Sequence, residues 1–135
     1  MSTPYYDCIA HHAMRRPDAL AAVDLATGRR WSYQAFDERI SRLAGSFRAQ
    51  GVIAGERVAI LAPNSTDTFE VQFACGRIGA IFVPLNWRLA TPELRAILGD
   101  CAPCGPGLRS GICDAGGGIG GHVRRPGSGF NGNDV

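Results

Sequence analysis

The sequence contains no lysine: all fourteen of its basic residues are arginine, and the formal net charge is only +2. A lysine-free chain offers no ε-amino group to any reaction. The arginines are scattered and form no stripe along one segment, which argues against a nucleic-acid partner. With alanine and glycine both abundant, the arginine bias reads as GC-rich coding. Long apolar runs are also missing. The longest, around "IGAIFVPL", is far too short to span a bilayer. The opening "MSTPYYDC" lacks a basic segment followed by an apolar one, so no signal peptide is expected. The expected compartment is the cytoplasm, where the five cysteines would be mostly free thiols.

Glycine is scarce in one part of the chain and crowded in another. Residues 1–100 hold seven of the eighteen glycines, and residues 101–135 hold the other eleven together with three of the five cysteines. The break near Asp100 divides the 135 residues into a first unit, 1–100, with room for one modest core, and a Gly-rich tail, 101–135.

In the first unit, Ile9 to Arg16 reads as a short helix closed by Pro17. "DALAAVDLATGRRWSY" reads as two short strands joined by the turn Ala26-Thr27-Gly28. Ser32 is placed to cap a helix in which Phe36, Ile40, Leu43 and Phe47 share one face, and Gly51 ends it. "ERVAILAPN" and "GAIFVPL" are nearly continuous apolar runs, as expected of parallel strands covered on both faces. Between them Ser65 to Asp67 offer caps for a helix reaching about Ile78, so the segment predicts a βαβ unit. Thr91, Pro92 and Glu93 form a helix start, with the Thr91 hydroxyl as cap and Pro92 in the first turn, and Gly99 is expected to stop that helix. The residues alone give an α/β fold.

The stretch from "RPDALAAVDLATGRRWSY" to "NWRLATPEL" resembles the opening of AMP-forming acyl-CoA synthetases, members of the adenylate-forming superfamily. The similarity covers roughly residues 10–100, and "GERVAILAPNS" and "GAIFVPLNWRLATPEL" are its most specific parts. The resemblance implies the N-terminal part of an AMP-binding domain. It also implies a parent reaction in which a carboxylic acid is activated by ATP and then passed to the thiol of coenzyme A. ATP, Mg2+ and coenzyme A would serve the complete enzyme. None is expected for this fragment, because the family's Ser/Thr/Gly-rich phosphate loop, its adenylation lysine and the acyl pocket lie beyond the point where the sequence departs. Adenylation builds negative charge on phosphorus and needs fixed cationic or metal partners. The fragment is therefore expected to be inactive, with no catalytic residue.

One site residue is carried over by the resemblance. Arg88, in "PLNWRL", follows a strand at the end where open α/β sheets place ligands, and relatives can use a basic residue there near the phosphates of coenzyme A. By its own chemistry Arg88 reads as a solvated or locally paired arginine, and Trp87 as packing. His11 and His12 are expected to decorate the first helix, Cys75 to lie in the core, and Asp37, Glu38, Asp67 and Glu70 to face solvent.

The tail carries three readings. Gly116-x-Gly118-x-x-Gly121 fits a dinucleotide loop formally, but neither a strand before it nor a helix after it is evident in the sequence. Cys101, Cys104, Cys113 and His122 would supply four metal ligands at spacings that match no familiar finger, which would make the chain a non-catalytic α/β binding module. The third reading, and ours, is a shift of reading frame near Pro103 that leaves no metal site and a disordered tail. Back-translating from Pro103 with suitable synonymous codons and reading one base later permits "PAALVYDPEFATLAAELAAM", a strand, a turn and an amphipathic helix. Without its normal continuation the fragment is expected to self-associate.

Overall fold

The computed structural model describes residues 6–101 in full, together with the backbone of 110–114 and 123–124. Helix α1 (Cys8–Arg15) begins at Asp7, whose side chain accepts from the Ala10 N–H at 3.0 Å. Strands β1 (Leu20–Val23) and β2 (Arg30–Ser32) form an antiparallel hairpin. Its turn is fixed by Asp24 Oδ1, which accepts from the N–H groups of Ala26 and Thr27, and by Gly28 at φ 71°. Helix α2 (Tyr33–Ala49) starts as expected from Ser32, whose hydroxyl accepts from the Ala35 N–H. Phe36, Ile40, Leu43 and Phe47 all point into the core.

The βαβ unit is present. Strand β3 (Arg57–Leu61), helix α3 (Thr66–Ile78) and strand β4 (Ile81–Leu85) follow in order, and β3 pairs with β4 in parallel from Arg57↔Ile81 to Leu61↔Leu85. Successive β3 side chains serve opposite faces of the sheet. Val58 and Ile60 join Phe36, Ile40, Phe47, Val71 and Ala74 in the larger core, under α1, α2 and α3. Ala59 turns to the other face, where it forms a much smaller cluster with Leu85 of β4 and Leu94 of helix α4 (Thr91–Cys101).

Four local expectations are corrected. Glu93, not the Thr91 hydroxyl, caps α4: its Oε2 accepts from the Ala90 N–H at 2.9 Å, and Thr91 is already the first helical residue. Gly99 does not stop α4, which runs through it to Cys101, because the glycine keeps ordinary helical φ and only weakens the turn. Ser65 precedes α3 but makes no side-chain cap bond. The tail also contains strands. Strand β5 (Ser110–Asp114) lies parallel to β3, and β6 (Val123–Arg124) pairs antiparallel with β5 in a sheet of order β4-β3-β5-β6. The physical reason is pairing demand, since the second edge of a buried strand takes up a backbone whose own sequence is nearly neutral. Most of the tail otherwise lies outside the described residues, including Cys104, His122 and the glycines from Gly116 to Gly121. No helix among the described residues is long and apolar enough to cross a membrane.

Candidate functional site

The loop Asn86–Ala90 leaves the C-terminal end of β4 and is held at both ends by side chain to backbone bonds. Asn86 Oδ1 accepts from the Arg88 N–H at 3.0 Å, and Glu93 takes the Ala90 N–H. Leu89 anchors the loop beneath, against the small cluster of Ala59, Leu85 and Leu94. These constraints leave Trp87 and Arg88 exposed side by side, the guanidinium carbon 4.7 Å from the indole centroid. No ion pair to Arg88 is formed among the described residues. An exposed guanidinium stacked on an indole keeps its fork of N–H donors free for an anion. It supplies charge and hydrogen bonds but no proton transfer and no nucleophile.

Three other arginines, Arg29, Arg39 and Arg77, tie the elements of the fold together. Arg77, on α3, reaches Asp7 before α1 at 2.6 Å and Asp37 on α2 at 2.5 Å. Arg39, on α2, grips both carboxylate oxygens of Glu70, at 2.6 and 3.1 Å, and lies over the Trp31 ring at 4.3 Å. Arg29 joins Asp24 at 2.9 Å to Asp67 at 3.2 Å, linking the hairpin to the first turn of α3. The expectation that Asp37, Asp67 and Glu70 are solvated is therefore corrected, and only Glu38 of that group is exposed. Glu70 is 1% exposed. Its phase identifies it: Thr66, Glu70, Val71, Ala74, Cys75 and Ile78 are the buried residues of α3 and repeat at helical spacing. The charge partner, 31 residues away, leaves no such trace.

Burial pushes the Glu70 carboxyl above its ordinary range in spite of Arg39. Asp24 behaves oppositely. Hydrogen bonds from the Arg29 guanidinium and the Thr27 N–H bring its pKa down to about 2. His11 and His12 sit on α1 as expected, in a run of rings from Tyr6 through His11 and His12 to Tyr33. Partial burial and then the charge of Arg16 push His12 down. Cys75 is fully buried in the core. Among the described residues no group of three His, Cys, Asp or Glu side chains is arranged to hold a metal. Of the four ligands in the metal reading, only Cys101 is described in full, and it is a free thiol at the end of α4.

The strand β5 also bears on the glycine loop. A strand does precede Gly116, contrary to the sequence reading, but the next described element is the strand β6, where a dinucleotide fold requires a helix.

Residues 9–105 match the AMP-binding enzyme family, and the chain belongs to it. Feruloyl-CoA synthase of an Amycolatopsis species is 51% identical over 69 residues, covering 51% of this chain and 14% of that protein. Indoleacetate–CoA ligase of Aromatoleum aromaticum is 47% identical over 72 residues, covering 53% of this chain and 14% of that protein. The N-terminal domain of FACL13 from Mycobacterium tuberculosis superimposes with a TM-score of 0.66 at 34% identity, over 69% of this chain and 23% of that one. The chain thus spans about a seventh of the length of these curated relatives.

Proposed function

We propose that these residues are the N-terminal segment of an AMP-forming acid–CoA ligase, residues 1–100 being the partial AMP-binding domain, and that the 135-residue chain alone has no ligase activity. The observation that carries this reading is the family match over residues 9–105 in a chain covering only 14% of its relatives. In the parent reaction a carboxylate oxygen attacks the α-phosphorus of ATP and pyrophosphate leaves. The thiol of coenzyme A then displaces AMP from the acyl carbon. The relatives' names support a carboxylic acid substrate, and the absence of a membrane-crossing helix among the described residues is compatible with the cytoplasm.

The described residues do not fit ATP. A triphosphate in reaction needs several converging cations or a metal. This sequence has no lysine, and Arg29, Arg39 and Arg77 are spent on carboxylates of the fold. Arg88 fits a single phosphate, and we assign it to a phosphate of coenzyme A in the complete enzyme.

The tail is assigned to a shifted reading frame after Pro103. The experiment compares two chains in acid-dependent exchange of labelled pyrophosphate into ATP. One is the 135-residue chain, and the other is encoded by the same locus read one base later from that codon. Exchange is expected from the second and not from the first. A shifted frame that soon stops, or that lacks a Ser/Thr/Gly-rich loop with lysine, overturns the frame assignment, and exchange by the 135-residue chain overturns the assignment of inactivity.

A further inference from the structure

The sheet has one edge at β4, and that edge is chemically unusual. In a parallel ladder the N–H and C=O of one residue point to the same neighbouring strand, and the direction alternates along the chain. The Ile81 N–H donates to the Glu56 carbonyl at 2.7 Å, on the β3 side. With the register Arg57↔Ile81 through Leu61↔Leu85, Val83 and Leu85 also face β3. Phe82 and Pro84 therefore face outward, and β4 is the end of the sheet order among the described residues.

An outward-facing proline withdraws a donor from the edge and puts its ring where an approaching carbonyl would sit. Proline in sheets is confined to such edges because it costs a ladder bond anywhere else. At this position it costs the native sheet nothing, since the β3 bonds come from residues 81, 83 and 85. Of the five residues of β4, Phe82 alone then offers an outward N–H. The other side of β3 differs, because it takes up β5 along five consecutive residues.

We infer that Pro84 closes the β4 edge to strand addition, so that β4 terminates the sheet, a second copy of this chain cannot pair through it, and further strands join only on the β5 side. Edge protection of this kind is a known device against edge-to-edge association. The role is independent of the ligase assignment.

The test uses the 135-residue chain, its Pro84→Val variant, and sedimentation velocity over a dilution series. Valine restores the outward N–H and favours the strand. The variant's self-association constant is expected to rise about five- to tenfold, the worth of a regained ladder bond. Unchanged association in a variant whose circular dichroism matches the parent overturns the inference. A second measurement does not depend on how the variant folds. In the soluble parent chain, amide exchange resolved by residue should find Val83 and Leu85 protected and Phe82 exchanging freely. A Phe82 amide as protected as Val83 means the edge is already paired, and it sinks the proposal.

Discussion

Arg88 and Asp24 show two uses of a charged side chain in one small fold. Arg88 is exposed, stacked on Trp87 and without an ion pair among the described residues, which leaves its guanidinium open to the phosphate proposed for it. In the complete enzyme, Arg88→Ala should raise the Michaelis constant for coenzyme A about 5- to 30-fold, the worth of one charge-assisted phosphate contact. Dependence on ATP and acid should stay nearly unchanged. Steady-state kinetics with each substrate varied in turn checks this, and equal effects on all three would assign Arg88 to the fold. Asp24 belongs to the fold. Its carboxyl titrates near 2 in the folded chain against 3.8 in the reference state. A depressed carboxyl stabilises the fold above its unfolded value and loses that contribution as the pH falls through the folded one. Asp24 thus favours the folded state above about pH 4 and ceases to between about pH 4 and 2. Asp24→Asn should flatten this part of the acid limb in urea titrations at a series of pH values. Glu70 has the opposite sign: its raised pKa adds stability as the pH falls toward the ordinary glutamate range, above the window in which Asp24 acts. An acid limb of unchanged slope in the variant would show that the hairpin turn does not couple to folding.

At the scale of elements, the junction between α3 and β4 is the most constrained turn. Gly79 closes α3 at φ 74°, and a Cβ built there would lie 3.1 Å from Ala54 Cβ. The Gly79 carbonyl also accepts from the Gly55 N–H at 2.8 Å, so the turn is pinned to the loop before β3. Gly79→Ala meets both a left-handed backbone and a close neighbour, and should cost about 1–2 kcal/mol in denaturant unfolding. A neutral result would mean the turn relaxes freely. The elements legible in the sequence are those whose burial repeats at their own period. The α2 face at Phe36, Ile40, Leu43 and Phe47 identifies itself in this way, and β3 and β4 do so by their apolar runs instead. Strand β5 does not, since "SGICD" contains one large apolar residue and a glycine, and a strand is made of it by the open side of β3. The Arg88 loop was legible only through the family resemblance. Its geometry depends on Asn86 and Glu93 bonding to backbone, and ordinary loop residues give no periodic sign of that.

The two faces of the sheet are covered unequally, and this sets the behaviour of the whole molecule. One face carries α1, α2 and α3 over a core that includes Ile40, Phe47, Val58, Ala74 and Cys75, all fully or almost fully buried. Among the described residues the opposite face has only α4, of which Leu94 alone is buried, while Leu61, Val83, Leu89, Ile97 and Leu98 remain half-buried and Ile81 is 50% exposed. Apolar burial is the main favourable contribution to folding, so the α4 side holds less free energy per residue than the other. Local opening should begin there. Hydrogen exchange read by mass spectrometry is expected to show residues 91–101 exchanging well before 33–49 and 66–78. The same asymmetry predicts where copies of the chain would associate. With the β4 edge closed by Pro84, the face that α4 covers poorly is the surface through which copies of this chain would meet, and opening of α4 enlarges it. Association should therefore slow when α4 is held down, for instance by a disulfide engineered between α4 and β4, and should be indifferent to substitutions on the exposed side of α2. A monomer that melts cooperatively, with α4 as protected as α2, would show that the single helix is sufficient cover and that the chain is stable without its continuation.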